Sequence, residues 1–269
     1  MHRRLVIVVI LCIIAVIGIV GLYSGLLHPS SDAENKKAAN YEVLYRIGVH
    51  EFPPLIIYQD GYENEPTGFD RDMIRWIGNE MNFDVKFILM AWSDVFNALE
   101  AKEIDMILGG PSITPERLER FLFSDPYLSI SQSIVVSEHG TMFMDDFWAG
   151  RGIVGAEAGT TSYAIVKEAL LDTGILPEEN LKDYHPIESS IQDLIDEKVH
   201  FIISDWPVMV RLTQEYPAYI IGNIDTGEEY GIVIHKENEQ LQQTINTGLD
   251  RLQASIDWNE MKHRYLLDY

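Results

Sequence analysis

Cysteine is nearly absent. Cys12 is the only one in 269 residues, so no disulfide can form within the chain. Basic residues are scarce too: 20 Lys and Arg face 42 Asp and Glu, a formal charge of −22. That balance argues against a nucleic-acid partner, because phosphates call for clustered Lys and Arg. The eight His are scattered, with no i, i+4 pair and no Cys partner, so nothing marks a zinc site. The acidic stretch from Asp60 to Asp70 lacks the spacing of a calcium loop, and the Gly-rich pieces lack the Lys-Ser/Thr pair of a phosphate-binding loop. No metal, nucleotide or other cofactor is expected. Repeats and low-complexity tracts are missing after Asn40. What is plentiful is apolar sequence: 46% hydrophobic residues with 23% charged is a globular composition. The length suits one large domain or two of moderate size.

Residues 5–27, Leu5 to Leu27, are almost entirely apolar and carry no charge. About 20 such residues span a hydrocarbon core of roughly 30 Å. Arg3 and Arg4 precede the run, so the positive-inside bias places the N-terminus in the cytoplasm and the bulk of the chain outside. An anchor is the expected reading. A cleaved signal peptide has the same polarity, but no small-x-small cleavage site follows the run directly. Cys12 follows Leu11, where lipidation would want a small residue, and reads as a buried small hydrophobe. Residues 28–40 are polar and read as a flexible tether. Residues 1–40 hold four basic and two acidic residues, which leaves −24 on residues 41–269.

The remainder alternates strand and helix. Val43 to Val49 reads as a strand, broken by Phe52-Pro53-Pro54. Asp60-Gly61 is a turn signal. Met73, Ile74, Ile77 and Met81 share a helical face, with Asp70 placed as its N-cap. Val85 to Met90 is strand-like, and Ser93 or Asp94 is expected to cap the helix that follows. Ile104 to Leu108 is a strand before Gly109-Gly110-Pro111, and Thr114-Pro115 is a helix start. The pattern then repeats more loosely. A strand at Gly152 to Gly155 precedes a helix opened by Gly159-Thr160-Thr161-Ser162 and running towards Leu171. Ser189-Ser190 is expected to cap another helix. Phe201 to Ile203 is a strand ending at Ser204-Asp205, Val208 to Leu212 a helix, and Gly231 to Ile234 a strand. Leu241 to Leu266 is expected as one long amphipathic helix. Two α/β units result, and ligands in such sheets sit beyond the carboxyl ends of the strands. Helix N-termini there present free N–H groups that suit a carboxylate.

Four stretches carry a resemblance: I-G-V-H-E-F-P-P-L at 47–55, G-F-D-R-D-M at 68–73, A-L-E-A-K-E-I-D-M-I-L-G-G-P-S-I-T-P-E-R at 98–117 and F-S-D-P-Y at 123–127. G-T-T at 159–161, S-S-I-Q-D-L at 189–194 and I-S-D-W-P at 203–207 extend it. Together they resemble the polar amino-acid family of bacterial solute-binding proteins, the receptor subunits of ABC importers. The resemblance implies a two-lobed, type 2 periplasmic-binding fold behind an N-terminal hydrophobic helix. Residues 1–40 would form the anchor or signal and tether, 41–131 and 230–269 the first lobe, and 137–225 the second. Ser131 to Val136 and Glu228 to Ile234 would be the hinge crossings.

By position, the resemblance makes Arg117 the bidentate partner of a ligand α-carboxylate, a task for which Lys lacks the planar fork. Ser112 matches a hydroxyl donor to the same carboxylate, Thr161 a backbone N–H donor, and Gly110 a carbonyl acceptor for the ligand amine. Asp205 matches the acid that takes the α-ammonium. Phe52 and Trp92 match aromatic positions that sandwich the ligand side chain, which suits an apolar stem or a cation. Two positions depart from the pattern. Val49 stands where relatives that bind basic amino acids often carry Asp, with Glu51 a nearby substitute, and His200 replaces an Asp. The implied function is an extracytoplasmic receptor, not an enzyme, that delivers an amino acid to a membrane permease. Two alternatives stand beside it. One is a dehydratase acting on prephenate-like acids, with Glu188 or Glu51 as general acid. The other is a sensory domain that works with a separate signalling partner.

Overall fold

The computed structural model describes residues 41, 43–58 and 65–266. The apolar run at 5–27, Cys12, the tether at 28–40 and Asp60-Gly61 lie outside the described residues. Among the described residues, no helix is long and apolar enough to cross a membrane.

Strand β1 (Val43–Val49) leads, past Pro53-Pro54, to helix α1 (Phe69–Met81). Phe69, Met73 and Ile77, at i, i+4 spacing, are buried together with Ile74. The N-cap of α1 is Gly68, not Asp70 as expected. Asp70 lies inside the first turn and is fully buried, because its carboxylate accepts hydrogen bonds from across the core instead of capping its own helix. Next come β2 (Phe83–Leu89), α2 (Trp92–Glu100), β3 (Met106–Ile107), α3 (Pro115–Arg120) and β4 (Phe121–Phe123). Helix α2 begins earlier than the expected Ser93 or Asp94 cap. Ala91 is its extended N-cap residue, and the Ser93 hydroxyl donates to Asp94 at 3.3 Å. Helix α3 starts as its pattern predicts: Thr114 Oγ1 accepts the Arg117 N–H at 3.2 Å, with Pro115 in the first turn.

Strand β5 (Leu128–Ser137) leads into α4 (Met144–Trp148), β6 (Val154–Ala156) and α5 (Thr161–Val166), which continues as a π-helical turn through Leu171. Then follow β7 (Leu181–Asp183), α6 (Ile191–Ile195), β8 (Phe201–Asp205), α7 (Trp206–Glu215) and β9 (Ala218–Tyr230). Ser189 and Ser190 do not cap α6. Their hydroxyls donate back to the Pro186 and Ile187 carbonyls at 2.7 and 2.6 Å, which holds a short 3-10 turn ahead of the helix. The chain ends with β10 (Val233–His235), α8 (Glu239–Gln253) and α9 (Ile256–Tyr265). The single terminal helix expected from the apolar period is therefore two. Ser255 adopts an extended conformation and donates to Leu252 O at 2.7 Å, and Ile256 turns outward at 73% exposure while Ile245, Leu249 and Leu252 stay buried.

Two five-stranded sheets result, ordered β2-β1-β3-β10-β4 and β7-β6-β8-β5-β9. In each, three parallel strands are joined by an antiparallel neighbour: β10 against β3, and β5 against β8. Strand β5 also pairs antiparallel with β9 from Leu128 and Tyr230 to Ser137 and Ala218. The chain thus enters the second sheet on β5 and returns on β9, side by side. Phe69, Ile77, Leu249 and Leu252 are buried in one apolar cluster, and Phe147, Phe201 and Ile203 in another. Burying each such side chain contributes about 1.5–3 kcal/mol over leaving it exposed.

Candidate functional site

The strand ends of both sheets converge on one small cavity. Every residue expected to touch an amino-acid ligand lines it: Phe52, Trp92, Gly110, Ser112 and Arg117 from the half built on the first sheet, and Thr161 and Asp205 from the half built on the second. His50, Gly109, Glu157 and Thr160 complete the lining.

Local structure explains how the first sheet presents its part. After β3 the chain turns sharply through Gly109 (φ +100°) and Gly110 (φ +75°). A Cβ on Gly110 would lie 2.9 Å from Leu55 and 3.1 Å from Phe52 and Tyr230, so a side chain has no room there. The buried Asp70 holds this turn. Its Oδ2 accepts N–H bonds from Gly109 at 2.8 Å and Gly110 at 3.3 Å, and the Tyr127 hydroxyl at 2.9 Å. Burial nevertheless pushes its carboxyl up to about 6, with the three donors opposing.

Arg117 follows in the first turns of α3. Its Nη1 donates to Ser112 O at 2.9 Å and its Nη2 to Gly159 O at 3.2 Å. The guanidinium carbon lies 5.4 Å from the Trp92 ring centroid and 5.0 Å from that of Phe96, within cation–π range. Trp92 Nε1 also donates to Gly159 O, at 3.1 Å. A single carbonyl ahead of α5 thus receives two donors from the opposite sheet. Burial lowers the Arg117 pKa while Glu228 and Asp205 raise it, and a guanidinium stays charged throughout. His50 packs between the Phe52 and Trp92 rings, at centroid distances of 5.0 and 4.8 Å. Burial pushes it down to about 3, so it is neutral, and its Nδ1 has no hydrogen-bond partner.

The second sheet supplies acids. Asp205, at the end of β8, accepts from Gln132 Nε2 at 2.5 Å and from the Tyr230 hydroxyl. Burial first, and then the charge of Glu228, push it up to about 7; its two donors and Arg117 act against this. Glu228, on β9, accepts from the hydroxyls of Ser112 and, at 2.6 Å, Thr161, and from Gln132 Nε2 at 2.8 Å. Glu157, after β6, accepts from the Ile187 N–H at 3.2 Å and pairs with His185 Nδ1 at 3.3 Å; burial raises its pKa. Sequence reasoning missed His50, Gln132, Glu157 and Glu228. The Ser112 hydroxyl, expected from the resemblance to meet a ligand carboxylate, donates to Glu228. Glu188 and Glu51 do not line the cavity. Both Glu188 carboxylate oxygens are buried without a partner, and burial pushes that group up to about 7. Among the described residues, no group of three or more His, Cys, Asp or Glu is placed to hold a metal ion.

Two α/β lobes joined by paired strands, with a cleft at their strand ends, form the two-lobed fold of solute-binding receptors. The chain belongs to the family described as bacterial extracellular solute-binding proteins, family 3, whose family model matches residues 45–268. It is 25% identical over 235 residues to a protein of Neisseria gonorrhoeae described as a probable histidine-binding protein, a match covering 85% of each chain. It is 23% identical over 222 residues to the arginine-binding periplasmic protein of Mannheimia haemolytica, covering 80% of this chain and 87% of that one. A solved structure of an ancestral arginine-binding protein bound to arginine aligns with a TM-score of 0.74 at 26% identity, over 82% of this chain and 97% of that chain.

Proposed function

We propose that this protein is an extracytoplasmic receptor that closes on an amino acid and delivers it to the permease of an ABC importer, held at the membrane by residues 5–27. One observation carries the reading: Arg117 from the first sheet and Asp205 from the second line the same small cavity and feel each other's charge. That is the pair a zwitterion requires. The ligand carboxylate meets the Arg117 fork and the free N–H groups at the start of α5, where Thr161 lies. Its ammonium meets Asp205 and the Gly110 carbonyl. Its side chain lies along Phe52 and Trp92. Contacts to both lobes favour the closed form, so ligand shifts the hinge equilibrium of β5 and β9. The histidine- and arginine-binding relatives support this class of ligand.

A dehydratase would need a protonated acid at the substrate. Glu188 has the raised pKa but does not line the cavity, and Asp205 lines it but already accepts two hydrogen bonds. The receptor reading is tested by a thermal-shift screen of the protein against the twenty amino acids. A ligand at 100 times its dissociation constant adds about 2.7 kcal/mol to stability, so the cognate amino acid is expected to raise the melting temperature by several degrees. A flat response to all twenty would remove the reading.

A further inference from the structure

Glu228 belongs to β9, one of the two strands that cross between the lobes, and it is only 8% exposed. Its carboxylate reaches both lobes and the other crossing strand. It accepts from the Ser112 hydroxyl, from the Thr161 hydroxyl at 2.6 Å and from Gln132 Nε2 at 2.8 Å. A hydroxyl has one proton to give. The two hydroxyls flanking Arg117 are therefore already directed at an anion of the protein itself. The second Gln132 N–H goes to Asp205 at 2.5 Å, so one amide holds two carboxylates next to each other.

The charge inventory of the cavity is lopsided. Among the described residues Arg117 is its one cationic side chain, because His50 is kept neutral by burial. Glu157 and Asp205 line the cavity, and Glu228 lies behind Ser112 and Thr161. We propose that Glu228 acts as a built-in carboxylate at the anion end of the cleft and so sets the charge of the ligand, selecting molecules of net positive charge. The inference rests on the receptor reading and adds the ligand's charge class to it. Glu228 repels a carboxylate brought to Arg117 and attracts the ammonium brought to Asp205. A free carboxylate on the ligand thus contributes less here than in a site whose hydroxyls are open, and each positive charge contributes more.

Three probes of similar shape separate these contributions: L-arginine, L-citrulline with a neutral side chain, and agmatine, which lacks the carboxylate. Calorimetric titration of the full chain is expected to show arginine at least tenfold tighter than citrulline, and agmatine within about tenfold of arginine. Charges a few ångströms apart justify changes of that size. Glu228→Gln keeps the shape and an acceptor for both hydroxyls but removes the charge. In that variant the arginine preference over citrulline is expected to shrink at least tenfold, and agmatine to weaken at least tenfold relative to arginine. Unchanged ratios in the variant overturn the inference. So does a wild-type protein that binds citrulline, or any neutral or acidic amino acid, as tightly as arginine, a result that needs no variant and leaves the receptor reading standing. Binding of no amino acid at all removes the receptor reading itself.

Discussion

The two halves of the cleft are built from opposite charges. The first sheet's half contributes a guanidinium, neutral aromatic rings and a backbone turn, and the buried acid Asp70 sits behind the wall, bound to Gly109 and Gly110. The second sheet and the crossing strands contribute Glu157, Asp205 and Glu228. Neither half is a binding site alone. A cation on one side and buried acids on the other meet when the lobes meet, and a small zwitterion is the molecule whose ends match that order. Two acids lodged this far from water carry raised pKa values, which ties the site to pH.

Removing either charged pole of the cleft costs binding most. Arg117→Ala removes the cavity's cation and leaves the ligand carboxylate without its fork; Asp205→Ala leaves the ammonium unpaired. An uncompensated buried charge costs about 3–5 kcal/mol. Each variant is expected to weaken amino-acid binding at least a hundredfold by calorimetry, and equal affinity in either would sink the assignment. Arg117→Lys retains the charge but not the fork, and is expected to recover only part of the loss.

Weakening the scaffold behind the first half has a smaller effect. Asp70→Ala strips three donors of their acceptor, at about 1–3 kcal/mol for an unsatisfied buried group. The Gly109–Gly110 turn then loosens. The melting temperature is expected to fall by several degrees and ligand affinity by about tenfold, whereas stability lost with affinity unchanged would show that Asp70 serves the core alone.

The scaffold was more legible in the sequence than the acids were. Thr114-Pro115 announces α3 because capping is a local matter of four residues, and Arg117 is placed by that cap. The face of α1 follows from period alone. Asp70 misled because an acid before an apolar run reads as a cap, while its actual partners lie 39 and 57 residues away. Glu228 was invisible for the same reason: its contacts with Ser112 and Thr161 span 116 and 67 residues, and an acid in Glu228-Glu229 looks like solvated charge. The break between α8 and α9 hides inside a continuous apolar period, since Ser255 ends the helix by its backbone conformation and not by a Gly or Pro. The resemblance supplied Asp205; nothing of that kind pointed to Gln132, which joins Asp205 to Glu228.

Acid sharpens the contrast further. Burial pushes the Asp205 carboxyl up to about 7. A ligand ammonium favours the ionised form, so binding below that value must expel a proton. Between pH 8 and pH 6 affinity is expected to fall about tenfold, the change of one pH unit below a pKa. Calorimetry in buffers of different ionisation enthalpy reads the proton directly: close to one released at pH 6 and almost none at pH 8.5. Release that is the same at both values would detach Asp205 from the ammonium.

The smallest effect runs the other way. In the ligand-free protein Asp205 and Glu188 are pushed up to about 7 and Asp70 to about 6, all above the ordinary carboxylate range. Between about pH 4 and 7 the folded state therefore binds more protons at these groups than the unfolded chain does. Their stabilisation is complete below the unfolded pKa near 4 and is lost as pH rises through the folded values. His50 opposes them. It is held neutral with a pKa of about 3, against 6.5 unfolded, so its contribution is lost as pH falls from 6.5. Three groups outweigh one, and the ligand-free protein is expected to melt a few degrees higher at pH 6 than at pH 8, since 1 kcal/mol moves a chain of this size about 2–4 °C. Asp205→Asn, neutral at every pH, should flatten the slope, and replacing His50 should steepen it. Stability that falls with acid over this range, with affinity unchanged, would mean that these carboxylates stay ionised and well solvated, and the opposition between the two walls of the cleft would be lost.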